Sequence, residues 1–162
     1  MKTIKLRKYL KSVIAAGIVS VMMFSNVYAS NNLNIMDPVT AEETTADFAE
    51  DTSYSLLRGN NLNFGTVKIS KLSSNEINIY GVTQCHQECD ELWLNLYLEQ
   101  KVDGSYATYK SWKLKDYNNT SLSTSMNVIV PSGHYYRVRG YHAAKDGTKE
   151  STSTLTQGIW VG

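Results

Sequence analysis

The sequence predicts an all-β protein, an antiparallel β-sandwich of about seven strands, and three observations predict it. Glu91 to Val102 alternates strictly, with Leu92, Leu94, Leu96 and Leu98 on one parity and Trp93, Asn95, Tyr97, Glu99 and Lys101 on the other. A helix would scatter those leucines over two faces, whereas a strand gathers them on one. Turn residues punctuate residues 59–162 about every 8–12 positions, and no convincing amphipathic helix interrupts them. Finally, Pro131, Ser132 and Gly133 form a tight turn, and Tyr136 follows at the spacing of a tyrosine corner.

The chain opens with a basic stretch containing Lys2, Lys5, Arg7, Lys8 and Lys11, then a 13-residue small and apolar run from Ser12 to Phe24. Val27-Tyr28-Ala29 supplies the small residues of a cleavage site, so residues 1–29 read as a signal peptide. The run falls short of the roughly 18 residues that suggest a membrane helix. The expectation is a secreted, extracellular protein with no membrane span after cleavage. Cleavage removes five of the 16 basic residues and no acidic one, leaving 11 against 15, a net of −4. That balance argues against non-specific nucleic-acid binding.

Residues 30–58 carry Asp37, Glu42, Glu43, Asp47, Glu50 and Asp51 against Arg58 alone. With few large apolar residues, this segment reads as an acidic tether or propeptide, with a short helix over 44–57 as the alternative. Residues 59–162 then form the sandwich domain. Its first strand is Leu62 to Leu72, with a possible bulge at Gly65 between two parities. Ser73-Ser74-Asn75 turns the chain, and Ile77 and Ile79 begin a strand ending near Gly81. The leucine strand follows, and Asp103-Gly104 signals a hairpin. Residues 106–114, rich in Tyr, Thr, Lys and Trp, read as a partly exposed edge. A polar loop at 116–121 precedes a strand with Met126, Val128 and Val130 inward. After the 134–141 strand, a loop at Lys145-Asp146-Gly147 leads to the last strand, with Leu155, Ile159 and Val161 inward and Thr154, Thr156 and Trp160 outward.

Val130, Gly133, Tyr136 and Val138 resemble the E–F corner of fibronectin type III and related immunoglobulin-like domains, and Lys145 to Glu150 resembles their F–G hairpin. The resemblance implies the fold and no activity. Leu56-Leu57-Arg58-Gly59, Gly81-Val82-Thr83, Cys89-Asp90, Leu98-Glu99, Tyr136-Arg137-Val138-Arg139-Gly140 and Glu150-Ser151 also resemble an uncharacterised secreted family of Gram-positive bacteria. That resemblance spans nearly all of residues 55–162 and brings no catalytic residues.

Two regions stand out for chemistry. Cys85 and Cys89 are the only cysteines, and in an exported chain they read as a disulfide. On an extended strand they would lie about 13 Å apart, against the roughly 7 Å a disulfide tolerates, so the loop would have to curl. Free thiols, a metal site with His86 and Asp90, and a Cys–His nucleophile are the alternatives. The second region is an outward sheet face. If the strands starting at Glu91, Tyr135 and Glu150 lie side by side, Trp93, Tyr97, Tyr135, Arg137, Arg139, Tyr141 and Trp160 share one surface. Such a surface suits sugar stacking or a protein hot spot. Arginine–aromatic stacking that merely stiffens the sheet, or cover by the tether, are the competing readings. His134 and His142 read as surface residues, and the Asn118-Asn119-Thr120-Ser121 sequons carry no expectation.

The function this supports is a non-enzymatic binding module for an extracellular protein or glycan, with no cofactor and no metal. A structural or inhibitory protein acting through loops, including the Cys85–Cys89 ring, is the alternative. No paired carboxylates, Ser-His-Asp set or cofactor motif argues for an enzyme.

Overall fold

The computed structural model describes residues 42–55 and 59–162; the segment read as a signal peptide lies outside them. These residues form one seven-stranded antiparallel sheet and no helix. The strands are β1 (Phe48–Tyr54), β2 (Leu62–Ser73), β3 (Glu76–Val102), β4 (Ser105–Ile129), β5 (His134–Asp146), β6 (Thr148–Leu155) and β7 (Ile159–Val161). Along the sheet the order is β1-β2-β3-β5-β6, with β4 also on β3 and β7 also on β5.

Two long strands organise it. The first part of β3, Glu76–Gln84, pairs with β2 and with the last part of β4; its second part, Glu91–Val102, pairs with the first part of β4 and with β5. Between them, four residues of β3 (85–88) face only Thr120 of β4, and Asn118 takes a positive φ of 50°. This extra length bends both strands. The sheet folds back on itself, and one core fills the space between its halves: Val67, Ile69, Ile77 and Ile79 from one half, Leu94, Leu96, Leu98, Val138 and Ile159 from the other. All four leucines of β3 are fully buried, each contributing roughly 1.5–3 kcal/mol.

Several sequence expectations change here. The 116–121 segment is not a loop but the bend in β4, and the 84–90 segment is the bend in β3. Asp103 (φ 51°) and Gly104 (φ 82°) form the hairpin turn, its left-handed pair matching the strand twist. The acidic segment read as a tether supplies β1, paired with β2 from Phe48↔Ser70 to Tyr54↔Phe64. Composition misled there because β2's free backbone edge stabilises a strand with few apolar residues. Only Ala49 of β1 is buried, while Asp51 accepts a hydrogen bond from Leu155 N at 2.8 Å. With Ser53 on Thr152 (2.7 Å), that bond ties β1 to β6 and draws two edges of the folded sheet together.

The bulge of β2 falls between Leu62 and Phe64, not at Gly65. Gly65 instead makes room: a Cβ there would strike the ring of His142. His142, expected at the surface, is fully buried between Gly65 and the two threonines Thr83 and Thr154. Thr154 and Thr156, expected outward, are buried as well. The hydrogen bonds assign one tautomer. Thr83 Oγ1 donates to Trp93 O (3.0 Å), so it accepts from His142 Nδ1–H (3.0 Å), and Nε2 accepts from the Thr154 hydroxyl (2.9 Å). A neutral imidazole satisfies this chain, and burial lowers the His142 pKa to about 4.

At the β5 turn, Tyr136 is fully buried, and its hydroxyl donates to Pro131 O at 2.8 Å while accepting from Gln100 Nε2 at 3.0 Å. Tyr136→Phe leaves the Pro131 carbonyl without its donor. It should cost about 1–3 kcal/mol in denaturant unfolding; a loss below about 0.5 kcal/mol would remove the corner as a stabilising element. A second expectation concerns pH. Because the folded pKa of His142 is depressed, the unfolded chain takes up the proton first as pH falls. Stability is therefore fully present above about pH 6.5 and should decline by about 3 kcal/mol towards pH 4. Unfolding midpoints at pH 7, 6, 5 and 4 measure this, and a flat profile between 7 and 5 would contradict it.

Candidate functional site

The strand order places the expected surface residues on one outward face. In the second half of the sheet the even positions of β3 and β5 fill the core, so the odd ones point out. Trp93, Tyr97, Tyr135, Arg137, Arg139 and Tyr141 are all partly exposed, and Trp160 is 45 % exposed. The register sets Tyr97 opposite Arg139, Asn95 opposite Tyr141 and Tyr135 opposite Trp160.

The face divides into three regions. Near the β5 turn, Tyr135 and Trp160 meet edge to face, their centroids 5.1 Å apart. In the middle, Glu99 sits opposite Arg137 and is only 5 % exposed. It accepts from Arg137 Nε at 2.7 Å on one oxygen and from Arg139 Nε at 3.1 Å on the other. Arg137 also stacks over Tyr106, with its guanidinium carbon 4.0 Å from the ring centroid. The two arginines expected to bind a ligand are thus held by the sheet's own carboxylate and an aromatic ring.

Residues 42–44 cover this middle region like a strap. Thr44 N donates to Gly158 O (2.9 Å) and Gly158 N to Glu42 O (2.8 Å), a short parallel bridge. Lys101 reaches both Glu42 and Glu43, and Tyr106 donates to Glu43 at 3.3 Å. The Lys101 hydrogen bond holds the Glu43 carboxyl below its ordinary range. The acidic segment therefore does cover part of the face.

The third region, around Trp93, stays open. Lys115 from β4 and Lys149 from β6 approach the indole from neighbouring strands, their ammonium groups 4.9 and 4.3 Å from the ring centroid. Each such contact is worth roughly 0.5–1 kcal/mol at an exposed site. Lys149 also lies 5.6 Å from Tyr141, and Lys115 4.6 Å from Tyr117. Glu91 bridges Lys115 (2.6 Å) and Lys145 (3.2 Å), and these hydrogen bonds, Lys115 first, lower its pKa. Lys113 stands opposite Asn95. The carbonyl of Trp93 is the one that accepts from Thr83, so the hydrogen-bond chain of buried His142 ends beneath this indole.

The four lysines were missed from the sequence. The Asp103-Gly104 turn alone registers Val102 with Ser105 and would put Leu114 opposite Trp93. An extra residue at Tyr109, between the Leu98↔Lys110 and Glu99↔Thr108 pairs, shifts the register by one and brings Lys113, Lys115 and Ser111 onto the outward face.

Residues 29–158 match a family of unknown function, DUF6147. The chain belongs to that family. The DUF6147 span includes the strap and every strand through β6. No curated protein matches the sequence.

The other region singled out by the sequence behaves differently. Cys85 and Cys89 are free thiols, and the expected disulfide is absent. Both lie buried in a small cluster with Leu62, Leu92 and Ala144, at opposite ends of the β3 bend. Pairing of Cys85 with Leu62 and of Cys89 with Asn119 fixes the backbone on either side, and the bend does not curl into the tight ring a disulfide needs. Burial raises the pKa of both thiols. His86 is exposed, its amide bonded to Asn61 O at 2.9 Å. Beneath the neighbouring 60–62 backbone, the buried Glu150 carboxylate accepts the amides of Asn60, Asn61 and Leu62.

Glu99 holds two guanidinium groups at once, so Glu99→Gln should destabilise the protein by about 2–3 kcal/mol, less than a fully buried pair because Arg139 is partly solvated. Denaturant unfolding reads the change, and a loss under about 0.5 kcal/mol would mean that the arginines find other partners.

Proposed function

We propose that this protein is an exported, non-enzymatic binding module that engages an extracellular ligand through the open part of its outward sheet face. The observation that carries this is the partly exposed Trp93 with Lys115 and Lys149 held against it from flanking strands. Aromatic rings and cations fixed on a rigid sheet present contact area at low entropic cost. Tyr97 and Tyr141 extend the surface, and Tyr135 with Trp160 form a separate outlying pair. Arg137 and Arg139 act as positioning residues through Glu99.

The folded sheet is read as an immunoglobulin/fibronectin III-like sandwich, in support of which stand the Tyr136–Pro131 bond and the pairing of β5 with both β3 and β6. In that reading the strap and β1 are part of the mature protein, since they complete an edge and cover the arginine pair. Export rests on the amino-terminal charge and hydropathy pattern.

The test is retention of the protein on a panel of immobilised glycans and surface proteins, compared with Trp93→Ala and Trp160→Ala. Trp93→Ala should abolish retention and lower Tm by only a few degrees, since it forfeits two exposed cation–π contacts. Trp160→Ala should reduce retention less. If Trp93→Ala unfolds the protein, or if it is retained as well as the parent, this face is not the binding surface.

A further inference from the structure

Resting on that reading of the Trp93 face, we infer that its ligand is an anionic polysaccharide. Sugar rings meet Trp93 and Tyr97, and acid groups along the polymer meet the surrounding lysines. The electrostatics point this way. At the outward register positions around Trp93 stand Lys113, Lys115, Lys145 and Lys149 against Glu91 alone, a local balance of +3. The chain beyond its first 29 residues has a net of −4, so the patch is a local concentration of positive charge and not a reflection of overall composition. Lys115 and Lys145 share Glu91, whereas no ion pair to a carboxylate is made by Lys113 or Lys149 among the described residues. Those two cations have unspent pairing capacity.

The form of the cations narrows the chemistry. The fork-shaped guanidinium groups of Arg137 and Arg139, which would clamp a single planar carboxylate, already hold Glu99. What remains is a spread of point charges, which suits a ligand bearing acid groups at repeated intervals. The neutral positions narrow it further. Asn95, Ser111, Ser151 and Ser153 occupy the same face between the lysines and offer short donors and acceptors to sugar hydroxyls. The slightly positive C–H face of a pyranose complements the negative face of an indole or phenol ring. Large aliphatic side chains, which fill the dry centre of a protein hot spot, are missing from this open region.

Three polymers dissect the proposal: polygalacturonate, its fully methyl-esterified form, and polyglutamate. The first has rings and charge, the second rings alone, the third charge alone. Affinity electrophoresis of the purified protein should show binding to polygalacturonate and at least about tenfold weaker binding to the other two. Lys113→Glu/Lys149→Glu should weaken polygalacturonate binding by about tenfold or more with Tm held within about 2 °C. The milder Lys113→Gln/Lys149→Gln pair serves if the reversal perturbs folding. Equal binding to the methyl ester would overturn the anionic class while leaving a Trp93-dependent carbohydrate module in place. Equal binding to polyglutamate, or tighter binding to oligo-dT, would overturn the polysaccharide. Failure to bind polygalacturonate overturns this inference alone when the glycan and protein panel still shows Trp93-dependent retention, and both readings when it does not.

Discussion

Everything in this fold depends on β3 being one strand in two places. Its first part pairs with β2 and its second with β5, so the chain that lines one side of the core is covalently the chain that lines the other. The alternation that buries Ile77 and Ile79 at odd positions switches across the bend at 85–90 to the even positions of Leu94, Leu96 and Leu98, so that both rows face Val67 in one core. A slip of one residue on either side would expose an entire row of aliphatic side chains. The close approach of the two halves leaves so little space that a side chain at Gly81 would meet Leu96.

That shared strand also joins the interior to the surface. The imidazole of His142 occupies the gap left by Gly65, and its bonds run through Thr83 to the backbone of Trp93. A polar chain inside an apolar core is tolerated because every donor in it has an acceptor. Its effect outside is positional: the peptide carrying the partly exposed indole is held by the core and by ladder bonds on both flanks, so the ring sits on a stiff support.

What the sequence made legible follows from what alternation encodes. The leucine parity, the Asp103-Gly104 hairpin and the Tyr136 spacing depend on neighbours within a few residues, and each appears in the structure. Features set by pairing across long separations stayed hidden. β1 has almost no apolar pattern and exists because β2 offers it an edge. Residues 84–90 and 116–121 look like loops because polar residues suit a sharp bend as well as they suit a turn. The β4 lysines beside Trp93, Lys113 and Lys115, depend on one extra residue at Tyr109, which no local signal marks. Thr154 and Thr156 look like surface residues until a buried histidine and the Val138 amide are found to need their hydroxyls. The residues expected on the aromatic–arginine face do share one outward parity, yet its arginines are occupied by Glu99, whose partners lie 38 and 40 residues away along the chain.

The two thiols carry a consequence of their own. Cys85 and Cys89 are the only sulfhydryls in the chain, and both are buried with their ionisation suppressed by desolvation. Thiolate is the reactive form, so the closed bend is chemically silent toward electrophiles at neutral pH. Opening it hydrates both sulfurs together and restores their reactivity. The rate at which the thiols become reactive therefore reports how often this one bend, and the small cluster of Leu62, Leu92 and Ala144 around it, opens to water.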